Sequence, residues 1–148
     1  MRYTTKTEYG VVCMVHMAKH ASERCVTIKE MTEEKHYPVA YVANKLQTQK
    51  KAGLGTAHHG NHGGYSLARP ASQIFLKEIV DALEGATFDV FCEPEVREGL
   101  VCANFCLCGV KPVWRKTKEL LDRFYSSVTL EMLTKDEFEV KKGIQNAA

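Results

Sequence analysis

The chain of 148 residues has no run approaching the roughly eighteen consecutive apolar residues that a membrane-spanning helix needs. Its start, Met1-Arg2-Tyr3-Thr4-Thr5-Lys6, leads into no apolar stretch, so neither a secretory signal nor a membrane partner is expected. No internal repeat and no low-complexity tract is visible. Also missing are a Gly-rich phosphate loop, a nucleophile elbow and a His-Glu-x-x-His pattern, so nothing points to a hydrolase and no enzyme is expected. What is present, 45% hydrophobic and 26% charged residues, suits one or at most two compact units with a real core.

The net charge of +2 conceals an asymmetry. Up to Arg69 the chain carries ten Lys/Arg against five Asp/Glu, and from Pro70 onward ten against thirteen. A basic module followed by an acidic one fits a polyanion-binding domain joined to a sensing or partner domain. The six cysteines are uneven too: Cys13 and Cys25 stand apart, whereas Cys92, Cys102, Cys106 and Cys108 fall within seventeen residues. Without an export signal a disulfide framework is not expected, and metal or redox chemistry becomes the leading reading of the cluster.

Helical periodicity from Thr7 to about Ala21 is carried by Val11, Val12, Val15 and Ala18. Thr27 followed three residues later by Glu30 has the pattern of a capping box, opening a helix to about Lys35. Pro38 suits the start of a next helix, which runs through Val39, Val42 and Leu46 to about Ala52 and is closed by Gly53. Two short helices joined by a tight turn form a helix-turn-helix, and the second carries Asn44, Lys45, Gln47, Gln49, Lys50 and Lys51. The following stretch, with Gly60-Asn61-His62-Gly63-Gly64 at its centre, reads as a hairpin that would form a wing.

Beyond Pro70, Ser72 is placed to cap a helix with Ile74, Phe75, Ile79, Val80 and Leu83 on one face, ending at Gly85. Residues 86–111 form an irregular segment holding the clustered cysteines, and loops of this length are usually functional or disordered. From Pro112 an apolar stripe of Val113, Leu120, Leu121, Phe124 and Val128 predicts a helix of roughly six turns to about Leu133. Such a stripe suits packing on a second copy of the chain. The tail from Lys135 offers little to bury.

The run Lys51-Ala52-Gly53-Leu54, the wing from Gly60 to Pro70, the helix Ile79-Val80-Asp81-Ala82-Leu83-Glu84-Gly85 and the cysteine cluster together resemble the IscR/NsrR-type winged-helix regulators of the Rrf2 family. The likeness covers about 130 residues. It implies a mainly α fold with a small hairpin wing, divided into a winged helix-turn-helix domain over 1–70 and a second part over 71–148. That second part comprises a helix, a cluster-binding loop over 86–111 and a dimerisation helix over 112–134 with a C-terminal tail.

The resemblance also implies a cytoplasmic, homodimeric transcription regulator, expected to be a repressor, that binds double-stranded operator DNA and holds an iron–sulfur cluster, either 2Fe-2S or 4Fe-4S. By position, Cys92, Cys102 and Cys108 are the implied cluster ligands, with a longer spacing between the first two than is common. Lys111 occupies the position of the histidine that some members use as a fourth ligand. Glu8, at the position of a carboxylate donated by the partner subunit, and Cys106, the softer ligand, are the alternatives.

For DNA, the expected contacts are Pro38, Tyr41, Asn44, Lys45 and Lys50 from the recognition helix, with His58, His59, Asn61 and His62 from the wing. Ala40, Ala43 and Asn44 stand where family members often have Ser, Glu and Gln, and His59 where arginine is common, so the operator is not expected to be shared. Other readings of the cysteines remain open: a zinc site, a thiol switch on a winged-helix regulator without a cluster, or inert thiols. A small metal or redox protein is a further alternative. Cys13 and Cys25 are expected to be small core residues.

Overall fold

The computed structural model describes residues 4–21, 24–85 and 108–147. Among the described residues, six α-helices and one hairpin follow in the order α1 (Thr5–Lys19), α2 (Ile28–Lys35), α3 (Val39–Lys51), β1 (Gly55–His58), β2 (Gly64–Leu67), α4 (Leu76–Glu84), α5 (Val110–Ser127) and α6 (Glu137–Ala147). Short 3-10 turns sit at Ala71–Gln73 and Met132–Thr134. The architecture is mostly helical with a two-stranded antiparallel hairpin, as the sequence pattern predicts. No described helix is long and apolar enough to cross a membrane.

The capping box at the head of α2 forms. Thr27 Oγ1 accepts from the Glu30 N–H at 3.2 Å, and the Glu30 carboxylate accepts the Thr27 N–H at 2.8 Å. The turn into α3 closes with His36 in the left-handed region, and the exposed Pro38 precedes the first residue of α3. At the other end Gly53 takes a φ of 72°, which glycine adopts without steric cost. That turn drops Leu54 into the core and starts β1. The hairpin pairs Gly55 with Leu67 through His58 with Gly64. An isolated bridge between Val26 and Tyr65 adds a rung on the other side of β2, with both N–H to carbonyl bonds at 2.8 Å.

One core runs continuously through the chain on both sides of Pro70. Met14, Met17, Met31, Leu46, Leu54, Ile74, Ile79 and Leu130 are all fully buried. Three of the eight are methionines, whose unbranched side chains adapt to irregular packing.

Three expectations from periodicity need correction. Ser72 does not cap the fourth helix; it lies in the 3-10 turn, and Ile74 and Phe75 are extended before α4 starts at Leu76, with the Phe75 N–H donating to Glu78 at 2.9 Å. The helix expected to reach Leu133 stops at Ser127, because Val128, Thr129 and Leu130 pair with the extended Ile74–Leu76 segment. Leu76 N–H bonds the Val128 carbonyl and Leu130 N–H the Ile74 carbonyl, each at 2.8 Å. β-branched Val128 and Thr129 suit that conformation, and burial of Ile74, Val128 and Leu130 rewards it. The tail, in turn, is helical from Glu137, with Gly143 close against Met132.

Glu30 is held down to about 2 chiefly by the backbone hydrogen bond from Thr27, which outweighs an opposing desolvation cost with help from Arg24 at 2.6 Å and the Thr27 hydroxyl. A carboxylate depressed in the folded state stabilises above its unfolded pKa, and that stability is lost as pH falls through the folded one. Glu30→Ala should therefore cost about 1 kcal/mol at pH 7, and less at pH 3. Urea unfolding at the two pH values checks this; a cost that does not shrink would contradict it.

Candidate nucleic-acid interface

Burial along α3 follows the helical period. Val42, Lys45, Leu46 and Gln49 turn inward, and Ala40, Asn44, Gln47 and Lys51 form the outward stripe. Asn44 and Lys50 are exposed, as a DNA-facing role requires. Lys45, expected among the DNA contacts, is only 8% exposed, and its ammonium lies 5.0 Å from the centre of the Tyr41 ring. Tyr41 is half-buried and its ring meets Tyr9 edge-on at 5.2 Å, so both residues serve the seat of α3 more than its outer face. Gln47, Lys51 and the exposed Val39 are the outward residues missing from the expected set. Their signal was in the sequence, because Val42 and Leu46 mark the core side and these positions lie away from it.

The seat is built from α1. Tyr9 stacks on Tyr37 with ring centres 4.1 Å apart, just ahead of the Pro38 entry to α3. Deeper in, the Gln49 amide, fully buried, donates to the Gly10 carbonyl at 2.8 Å. The hydroxyls of Thr4 and Thr7 both donate to the Glu84 carboxylate, tying the start of α1 to the end of α4. Those two bonds hold the Glu84 pKa below the usual carboxylate range, against a desolvation cost and with help from the charges of Lys6 and Lys45.

In the wing, His58, His59, Asn61 and His62 are all exposed. His58 Nε2 lies 2.8 Å from Ser66 Oγ across the hairpin, while the Gly63 N–H bonds the Gly60 carbonyl at 2.9 Å inside the tip. Next to the tip, the wing tolerates no side chain at Gly64, where a Cβ would meet the Val26 carbonyl oxygen at 2.7 Å.

Of the expected cluster ligands, Cys92, Cys102 and Cys106 lie outside the described residues. Cys108 is a free, half-buried thiol immediately ahead of Gly109 and the first turn of α5. Glu8 is exposed in the first turn of α1. It lines one end of an apolar groove of about 380 Å³ between α1, α4 and α5, along with Val11, Val12, Leu76, Val80 and Tyr125. Among the described residues no three His, Cys, Asp or Glu side chains are placed to hold a metal ion. Cys13 is buried in the core, and burial pushes its thiol up to about 11, which keeps it protonated and inert. Along α5, Val110, Val113, Trp114 and Leu120 leave apolar surface exposed.

A helix-turn-helix with an outward polar stripe, followed directly by a two-stranded wing, defines a winged-helix DNA-binding regulator. The chain belongs to the Rrf2 family, described as iron-dependent transcriptional regulators, which it matches over residues 3–136. It is 31% identical over 136 residues to the protein rrf2 of Nitratidesulfovibrio vulgaris, covering 92% of this chain and 89% of that one. Its fold is similar to that of T. potens IscR, with a TM-score of 0.69 and 29% identity over 88% of this chain and 84% of that one. It is also similar to B. subtilis CymR, described as the global cysteine regulator, with a TM-score of 0.68 and 28% identity over 92% of this chain and 99% of that one. The protein is thus a transcriptional regulator and not an enzyme.

Gly64→Ala should disrupt the Val26–Tyr65 rung and cost about 1–3 kcal/mol, as overpacking against fixed backbone does. Gly55→Ala should cost much less, since its Cβ would meet nothing nearer than 3.5 Å. Denaturant midpoints of the two variants compare them, and equal losses would contradict the packing argument.

Proposed function

We propose that the protein is a homodimeric repressor that grips operator DNA with α3 and the wing, and that its cysteine segment senses iron–sulfur, redox or nitric oxide status. The observation that carries the DNA-binding half is the outward stripe of α3 beside the exposed wing tip. Asn44, Lys50 and Pro38, with Gln47 and Lys51, lie at the major groove and its phosphates in this reading, and His58, His59, Asn61 and His62 at the minor groove.

The sensing half rests on donor chemistry. Thiolates are the ligands iron–sulfur clusters take, and Cys92, Cys102 and Cys108 would supply three of them. Glu8 of the partner subunit or Cys106 of the same segment would complete the set. A bound cluster would supply an oxidant-sensitive centre. Cys108 abuts α5, so gain or loss of a ligand bond at Cys108 would act on the helix whose apolar face suits a second copy of the chain. Glu8 precedes Tyr9, which stacks under the entry to α3, and this gives the ligand end of α1 a mechanical path to the recognition helix. Dimerisation serves the same end, because two recognition helices must be spaced to reach successive major grooves. A cysteine thiol switch without a cluster is the second reading, supported by the similarity to Staphylococcus aureus CymR, whose structure is described as an oxidized form; a zinc site would rest on the same thiolate donors.

Anaerobic purification with visible absorbance, iron and acid-labile sulfide per monomer tests the sensing half. A brown protein with matched iron and sulfide, bleached by Cys102→Ala or Cys108→Ala, is the expected outcome. A colourless protein even after reconstitution would leave the thiol or zinc reading. Independently, affinity for duplex DNA should fall by orders of magnitude, roughly 10³-fold or more, between about 50 and 200 mM salt for a dimer making several phosphate contacts. A flat salt dependence would overturn the DNA-binding half.

A further inference from the structure

The outward surface of α3 is chemically one-sided. Its first turns present Val39, Ala40, Ala43, Asn44 and Gln47, and the one cation among them in sequence, Lys45, is turned into the protein. Val39 is 60% exposed, an apolar β-branched side chain outside the core at the end of the helix that enters a groove first. Thr48 is half-buried and its hydroxyl donates back to the Asn44 carbonyl at 3.1 Å. Lysines reappear on the exposed surface only in the last turn, as Lys50 and Lys51.

Base edges in the major groove sort these side chains. Guanine offers two acceptors that Arg or Lys satisfies, adenine offers an acceptor and a donor that match a carboxamide, and thymine offers a methyl group that matches apolar side chains. The first three turns of that face hold carboxamides and methyl groups and no guanine reader, and its two outward lysines, Lys50 and Lys51, stand in the last turn, away from the end that enters a groove first.

We infer that α3 reads A·T pairs: Val39 and Ala40 pack on thymine methyl groups, Asn44 or Gln47 pairs with adenine, and Lys50 and Lys51 hold phosphates. The inference rests on the DNA-binding reading above and specifies the class of half-site that reading left open. It separates from it in the laboratory.

Full-length protein is used to select from a pool of randomised duplexes, and the selected duplex is titrated by fluorescence anisotropy with deoxyuridine replacing one thymine at a time. That replacement removes only the 5-methyl group. The expected half-site has A·T pairs at its core, with at least one replacement weakening binding about fourfold, the factor carried by one methyl group leaving water. Val39→Ala should lose sensitivity to the replacement that it touches while unfolding at the native midpoint. Asn44→Ala should cost roughly tenfold and relax the preference for adenine at one position. A guanine-centred half-site, or a selected duplex that tolerates every replacement, overturns the inference and leaves DNA binding intact. A pool from which no sequence is enriched overturns both.

Discussion

The recognition helix depends on one buried polar contact. Gln49 sits in the core with no exposure; its amide nitrogen donates to the Gly10 carbonyl of α1, while its Oε1 is buried without a partner. Losing that bond would leave the carboxamide wholly unpaired, at a cost on the order of 1–3 kcal/mol, so together with buried Val42 and Leu46 it holds the rotation of α3 about its own axis. That rotation decides which residues face outward: with Gln49, Val42 and Leu46 inward, Ala40, Asn44 and Gln47 are on the exposed side. The crossing is close because Gly10 has no side chain; a Cβ there would run into Leu83 of α4 and approach the Gln49 amide. Three helices thus meet at a single residue.

Aromatic and charged contacts extend the same clasp toward the ends of the helices. Tyr9 holds Tyr37 face-on and Tyr41 edge-on, geometries that aromatic pairs favour. Thr4 and Thr7 anchor the head of α1 on Glu84, and Lys45 spends its charge on the Tyr41 ring and the Glu84 carboxylate instead of on solvent. On the far side of α4, Lys77 bridges Asp81 at 2.6 Å and Asp122 of α5 at 3.1 Å. α4 is thus tied by side-chain contacts to both α1 and α5.

Much of the fold was legible because local rules and tertiary packing agreed. The Thr27–Glu30 capping box, the Pro38 entry, the Gly53 stop and the glycine-rich hairpin all form where turn and cap chemistry place them. Legibility failed where two distant segments competed with local periodicity. Ile74–Leu76 and Val128–Leu130 carry apolar spacing compatible with helices, yet each prefers the other as an extended partner. For the site, residue type was a poor guide: Lys45 and Gln49 look like DNA-contacting side chains and are buried, and Val39 looks like core and is exposed.

The sequence by itself determined the kind of molecule: the order of helix, turn, helix and wing, the basic first half, the cysteine cluster and the family they mark. These are properties of neighbours along the chain, set by caps, turns and composition. Only the tertiary structure decided where the long helix ends, which lysine faces outward and which glutamine holds α3 in place. Each of those outcomes depends on a partner dozens of residues away, and the free energy of burying a side chain against that partner exceeds the local preference that periodicity records.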